Sequence, residues 1–381
     1  MGGESMSLQE EGAELSSEQP LVSVIIPVYN VEKYLQTTLD NVLGQSLKDI
    51  EVICVDDGSQ DSSGSILESA ARKDGRLHIF EQENSGAGAA RNLGLSKATG
   101  RYCLFVDSDD FLESDAIERA YTAARDNDVD ALMFRLDKYI EADDAFYPMT
   151  HAIVEGKVPF NEVFNPSEVP NFYKYVVGFT CCKLYKLDYL RSTGLQFPKI
   201  GAHEDMPFTY VACSKTNRAY VLPDVLYHYR RQREGSLSDG TSSQYVYMLQ
   251  ALECFKDDLK RTGCWAENER NYYNYVLHMV DWKFGELHGQ TRAEFVDDLR
   301  NEWYERLGVP ASDDDVYFYI PEEVKLLSWT RDHSYLDELE KTNERLRARL
   351  KKANEKNKKL KKELDASLLS RVKRKIKRIL N

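Results

Sequence analysis

No run of about 18 apolar residues occurs anywhere in the 381-residue chain, so the sequence offers no helix of membrane-spanning length. It has no CxxC pair and only seven cysteines, Cys54, Cys103, Cys181, Cys182, Cys213, Cys254 and Cys264. An odd number cannot all pair within one chain, and most sit in apolar runs, so they are read as reduced core thiols. Residues 1–20 are acidic and Ser-rich; they lack the basic-then-apolar layout of a secretion signal and are expected to be a disordered segment of a cytoplasmic protein. There is no internal repeat and no GxGxxG.

What is present is a chain long enough for two domains, with 42% hydrophobic residues to build a core. Its net charge of -13 conceals an asymmetry. Residues 337–381 hold 17 Lys and Arg against 7 Asp and Glu, and their balance of +10 leaves -23 on the remainder. An acidic body argues against nucleic acid as a partner, whereas a basic tail suits an anionic surface.

From residue 21 apolar runs alternate with helical patterns: LVSVII, a helix with Leu35, Leu39, Val42 and Leu43 on one face, IEVICV, a helix after Asp61, LHIF, a helix from GAGAARNLGL, RYCLFV, a helix opening at Ser114, and DALMF. This alternation predicts an α/β fold with a mostly parallel sheet and right-handed crossovers. Ligands of such sheets bind beyond the carboxyl ends of the strands. Three strands here end in polar clusters, PVYN at 27–30, DDGS at 56–59 and DSDD at 107–110. They are expected to meet in one crevice. Residues 140–240 are less regular, and residues 241–310 look helical and rich in Tyr and Trp, within a helical region expected over 241–330.

Carboxylates crowded on a turn repel one another, so such a cluster needs a cation or takes up a proton. A hard divalent ion held by one or two carboxylates completes its shell with water and phosphate oxygens, which is how a protein grips a diphosphate. An isolated DxD is more often a helix cap. The buried strand before this one and its two companion clusters favour the ion. DDGS alone could be an ordinary turn, or Asp57 could hydrogen-bond a base or ribose. SGAGAARN opens a helix with small residues, placing backbone N–H groups and Arg91 where anionic groups could sit.

In order and spacing, VSVIIPVYN, VDDGSQD, ENSGAGAARNLGL and FVDSDDFL resemble the N-terminal domain of family 2 glycosyltransferases with the Rossmann-like GT-A fold. The resemblance covers residues 21 to about 135 closely and, through HEDMPF and YHYRRQREGS, extends more loosely to about 240. It implies an inverting transferase of the bacterial polysaccharide type that takes a sugar from a nucleotide-sugar donor, usually a UDP-sugar, with Mn²⁺ or Mg²⁺. By this resemblance Pro27, Tyr29 and Asp57 line the nucleotide pocket, and Asp107 and Asp109 form the metal motif. HEDMPF matches the acidic pair near the acceptor, where one carboxylate is the base: Asp205 is favoured, Glu204 the alternate. Inverting displacement needs such a group, because the acceptor hydroxyl must lose its proton as it attacks. The plain reading of the pair is an acidic helix N-terminus. His228 falls where relatives place polar residues against the diphosphate, so it is a candidate metal or phosphate ligand beside Arg230 and Arg231, although a His among aromatics is more often structural.

From Leu336 a heptad places Leu336, Asn343, Leu350, Asn357 and Leu364 at a, and Leu339, Leu346, Ala353 and Leu360 at d. Residues 336–367 are therefore expected to form a coiled coil, with two a-position Asn suiting a parallel homodimer. Lys356 would face Lys361 across it, so a weak dimer or a solvated single helix stays open. Residues 368–381 gather Leu368, Leu369, Val372, Ile376, Ile379 and Leu380 on one arc with six Lys and Arg around the rest, the layout of an interfacial helix on an anionic membrane. The sequence is thus expected to be a peripheral enzyme at the inner membrane face, transferring sugar to a glycan or lipid-linked acceptor. The alternatives are a non-catalytic scaffold and a sugar-nucleotide pyrophosphorylase, although PVYNVEKY stands where the latter keeps a Gly-rich basic loop.

Overall fold

The computed structural model describes residues 19–231, 245–310, 318–333, 335, 344–356 and 358. The chain divides into two compact units, residues 1–278 and 279–381.

The first unit opens with β1 (Val22–Val28), α1 (Glu32–Leu43), β2 (Ile50–Asp56), α2 (Ser63–Ala71), β3 (Leu77–Glu81), α3 (Ala87–Lys97) and β4 (Tyr102–Phe105). Every residue of β1, β2 and β4 is buried, as strands covered by helices on both faces must be. α1 turns Leu35, Leu39 and Val42 inward, as its apolar spacing predicts. There follow β5 (Phe111–Leu112), α4 (Ala116–Asp126), β6 (Ala131–Ile140), β7 (Ala145–Pro148), β8 (Val163–Phe164), α5 (Phe172–Tyr175), β9 (Lys183–Lys186), α6 (Leu187–Thr193), α7 (Asp205–Ser214), β10 (Ala219–Arg231), α8 (Tyr245–Arg261) and α9 (Trp265–Glu286).

One sheet carries all ten strands in the order β3-β2-β1-β4-β9-β6-β10-β5, with β7 on β6 and β8 on β10. β3, β2, β1 and β4 are parallel, as expected. Between β4 and β6 lies the short β9, antiparallel to both. Its sequence, KLYK, did not read as a strand because a lysine stands at a core position. Lys183 is fully buried, and its amine donates to the carbonyls of Val177 at 2.8 Å and Phe179 at 2.5 Å. α7 is buried on all sides from Met206 to Ser214. Tyr210 fixes it: the hydroxyl donates to the carbonyls of Tyr173 and Val176, at 2.8 and 2.9 Å, and the ring packs 5.0 Å from that of Tyr275 on α9.

The second unit is helical, with α10 (Gly289–Asp298), a π-helical turn (Leu299–Trp303), α11 (Tyr304–Leu307) and α12 (Pro321–Asp332). Phe295, Leu299, Leu307 and Leu327 form its core, and the hydroxyls of Tyr304 and Thr330 share a 2.6 Å hydrogen bond. Residues 344–356 are helical, with Leu346 54% and Leu350 63% exposed. Of the segment expected to form a coiled coil, 336–343, 357 and 359–367 lie outside the described residues, as do 1–18 and the whole basic helix at 368–381. All seven cysteines are free thiols. Among the described residues no helix is long and apolar enough to cross a membrane.

Candidate active site

β2, β1 and β4 are neighbours, so the clusters that follow them meet at one edge of the sheet. Backbone bonds continue the ladders into these turns: Asp57 N–H donates to the Val28 carbonyl at 2.8 Å and Val106 N–H to that of Ile25 at 3.0 Å. Pro27 lies buried within β1, while Tyr29, just beyond it, is 46% exposed and presents a ring at the edge. Asp57 is buried. Its carboxylate accepts from Gln82 Nε2 at 2.7 Å and from the Ser85 and Gly86 N–H groups at 2.8 Å each. In this structure it therefore shapes the loop that opens α3.

The DSDD turn is held from two sides. Thr38 of α1 bonds the carbonyls of Ser108 and Asp110, at 3.0 and 2.9 Å. From β10, the Tyr227 hydroxyl accepts from Asp107 N–H at 3.2 Å and donates to Asp110 Oδ2 at 2.7 Å, while Arg230 N–H reaches Asp110 Oδ1 at 2.8 Å. Burial, reinforced by Asp109 and Asp107, pushes the Asp110 carboxyl well above its ordinary range. Asp110 thus anchors the turn, and Asp107 is the member whose side chain stays a third exposed.

Arg91, one turn into α3, joins this turn to the second acidic motif. Nη2 donates to Asp107 Oδ1 at 2.8 Å and Nη1 to Glu204 Oε1 at 2.7 Å. Burial disfavours its charge, but the carboxylates of Asp107, Glu204 and Asp205 outweigh this and raise its pKa. Glu204 and Asp205 sit at the start of α7, after His203 with a φ of 63°. Asp205 keeps part of its surface exposed, yet its carboxyl is crowded by protein. Desolvation first, then Glu204, raise its pKa to about 7 against the opposing pull of Arg91.

His228 is not joined to this group. Its Nδ1 lies 2.7 Å from Asp137 Oδ1 and its Nε2 3.1 Å from Glu113 Oε1, with the ring packed between Phe111 and Phe146. Strand alternation turns Tyr227, its neighbour, to the Asp107 side and His228 to the other. Both ring nitrogens lie against carboxylates, in a packed and hydrogen-bonded setting on the opposite face of β10 from the Asp107 turn. No local signal in YHYRR distinguishes Tyr227, because its partners Asp107 and Asp110 lie 120 and 117 residues away. At Gly88 a Cβ would lie 3.0 Å from Glu204 Cγ and 3.2 Å from Phe197 Cβ, so the glycine lets Glu204 pack closely against α3.

Among the described residues no three His, Cys, Asp or Glu side chains are gathered to hold a metal ion. An ion that takes only one or two carboxylates from the protein and the rest from diphosphate and water needs no such group.

A strand-end acidic turn, an antiparallel strand beside β4 and a facing acidic pair on a single mixed sheet define a GT-A-like α/β domain. The family model "Glycosyl transferase family 2" matches residues 23–192. EpsJ of Bacillus subtilis strain 168, an uncharacterized glycosyltransferase, is 34% identical over 214 residues, 55% of this chain and 61% of its own. The cholesterol galactosyltransferase of Borreliella burgdorferi is 30% identical over 261 residues, 67% of this chain and 72% of its own. The chain therefore belongs to glycosyltransferase family 2. It spans less than two thirds of EpsJ. The crystal structure of S. aureus TarS 1–349 superposes with a TM-score of 0.58 and 22% identity, over 82% of this chain and 87% of that one, a likeness of fold. Its complex with UDP-GlcNAc superposes with a TM-score of 0.50 and 21% identity, over 76% of this chain and 90% of that one.

Proposed function

We propose that this glycosyltransferase moves a sugar, with inversion, from a UDP-sugar to an acceptor hydroxyl on a cell-surface or lipid-linked glycan. The observation that carries the reading is Asp205: a carboxyl held near neutrality, beside Glu204 and Arg91, facing the acidic turn at the end of β4. A base works best when its pKa lies near the working pH. As the acceptor oxygen bonds to the anomeric carbon, the bond from that carbon to the diphosphate oxygen breaks, UDP departs with the electron pair, and Asp205 takes the hydroxyl proton. Tyr29 offers a ring to the base of the nucleotide. Mn²⁺ or Mg²⁺ on Asp107 and Asp109, when bound, neutralises the diphosphate. The donor class is also suggested by the TarS complex with UDP-GlcNAc, and a lipid-type acceptor by the name of the Borreliella relative, a cholesterol galactosyltransferase.

The test is two substitutions read by UDP titration with Mn²⁺ and by turnover of a panel of UDP-sugars. Asp109→Asn is expected to keep the fold and lose the metal-dependent part of UDP binding. Asp205→Asn is expected to keep UDP affinity and lose on the order of 10² to 10⁴ in rate. Full metal-dependent binding by the first variant would end the metal assignment; near-normal turnover by the second would move the base to Glu204. A parent that hydrolyses no donor would favour the scaffold alternative. We also propose that residues 336–367 pair two copies and that residues 368–381 seat the enzyme on anionic lipid.

A further inference from the structure

Arg91 is placed where sequence reasoning expects a ligand of the donor diphosphate, but its surroundings differ from those of such a ligand. Its side chain is 8% exposed, and each terminal nitrogen is already directed at a carboxylate. The two carboxylates come from different motifs, Asp107 beyond β4 and Glu204 before α7, 97 residues apart in the chain. The guanidinium carbon lies 5.5 Å from the centre of the Phe197 ring, on the segment that leads into α7. Nε is buried with no acceptor in the protein, so the group sits where its two ion pairs require and leaves the Nε–H unmet. One turn earlier on α3, Gly88 leaves the space that Glu204 fills. A planar fork with two fixed arms suits this bridging task; a lysine, a single point charge, could satisfy only one arm at a time.

We propose that Arg91 is a positioning residue: it braces the α7 turn against the DSDD turn and so fixes Asp205 relative to the donor, rather than binding the diphosphate itself. This rests on reading Asp205 as the proton acceptor. A base displaced by about 1 Å loses on the order of 10² in rate while donor affinity is retained, which gives the brace a signature different from that of a phosphate ligand.

The experiment compares Arg91→Ala, Arg91→Lys, Glu204→Gln and the Arg91→Ala/Glu204→Gln pair, with UDP and Mn²⁺ as the binding probe. Expected are UDP dissociation constants within about threefold of the parent and kcat lowered on the order of 10². Added guanidinium should restore part of the rate of Arg91→Ala, and Arg91→Lys should lie between that variant and the parent. The double variant should lose no more than Arg91→Ala alone, because the two residues act as one unit. A tenfold or greater loss of UDP affinity with unchanged kcat would make Arg91 a phosphate ligand and overturn the brace. So would strictly additive losses. Should Arg91→Ala not fold, Glu204→Gln carries the test, since Arg91 then keeps its pair with Asp107; normal turnover there overturns the proposal. Coupling of Arg91 and Glu204 is read independently from thermal unfolding of the Arg91→Lys and Glu204→Gln cycle. Its presence alongside an active Asp205→Asn variant would show that the base reading has failed while the brace stands.

Discussion

Glu204 and Asp205 are adjacent in sequence yet meet different fates. Glu204 directs an oxygen at Arg91, while Asp205 holds a carboxyl raised to about 7 by desolvation and by Glu204. The shift has a consequence for stability. A carboxyl whose folded pKa lies above its unfolded value of 3.8 adds stability that is fully present below about pH 4 and is lost as pH rises through about 7. Asp205→Asn, which never ionises, should therefore gain over the parent between pH 4 and 7 and hold a constant advantage above, up to about 4 kcal/mol. Thermal unfolding of both proteins from pH 4 to 8 checks this; a difference independent of pH would mean Asp205 titrates normally. The acidic residues of this site were legible because Asp and Glu at strand ends and helix starts are conspicuous. Their partners were not, since Arg91 and Glu204 meet across 113 residues and nothing local couples them.

At the scale of elements, the first four strands and their helices follow from apolar periodicity, because both faces of each strand are covered and the helices alternate with them. β9 escaped, since the buried Lys183 breaks its apolar run, and so did the long β10, whose pairing with β6 shifts register twice between Leu222 and Tyr227. α3 shows how two glycines of one helix differ. A Cβ on Gly94 would lie 2.4 Å from Ile25 Cγ2 in the central strand, where neither side can yield cheaply. Gly94→Ala is therefore expected to destabilise by about 1–3 kcal/mol despite the better helix propensity of alanine. A Cβ on Gly88 meets the flexible Glu204 side chain at 3.0 Å. Gly88→Ala should change stability by less than about 1 kcal/mol and lower turnover by pushing Glu204 away from Arg91. Urea unfolding alongside a turnover assay separates the two; a Gly94→Ala protein as stable as the parent would refute the close-packing account.

The whole molecule joins an acidic body to a basic tail, a division visible in charge alone. Residues 344–356 form a helix on which Leu346 and Leu350, d and a of the heptad, are 54% and 63% exposed. Two large apolar side chains one turn apart in water suit a second copy of the same helix, with the a-position Asn residues fixing a parallel register. Pairing would present two basic helices to one surface, and the second would bind at an effective concentration set by the first. Six basic residues near an anionic leaflet, at about 1 kcal/mol each before screening, add to the apolar arc. Separate substitutions distinguish the two devices. Leu350→Asp should convert a dimer to a monomer in light scattering at micromolar concentration, and weaken cosedimentation with anionic vesicles without abolishing it. Ile376→Glu should release the protein from those vesicles while its mass in solution stays unchanged. A parent that is monomeric at micromolar concentration would remove the pairing, and equal binding to neutral and anionic vesicles, or to neither, would remove the membrane role. The proposed catalytic reading would survive both results, because every residue of the candidate site lies within residues 27–230.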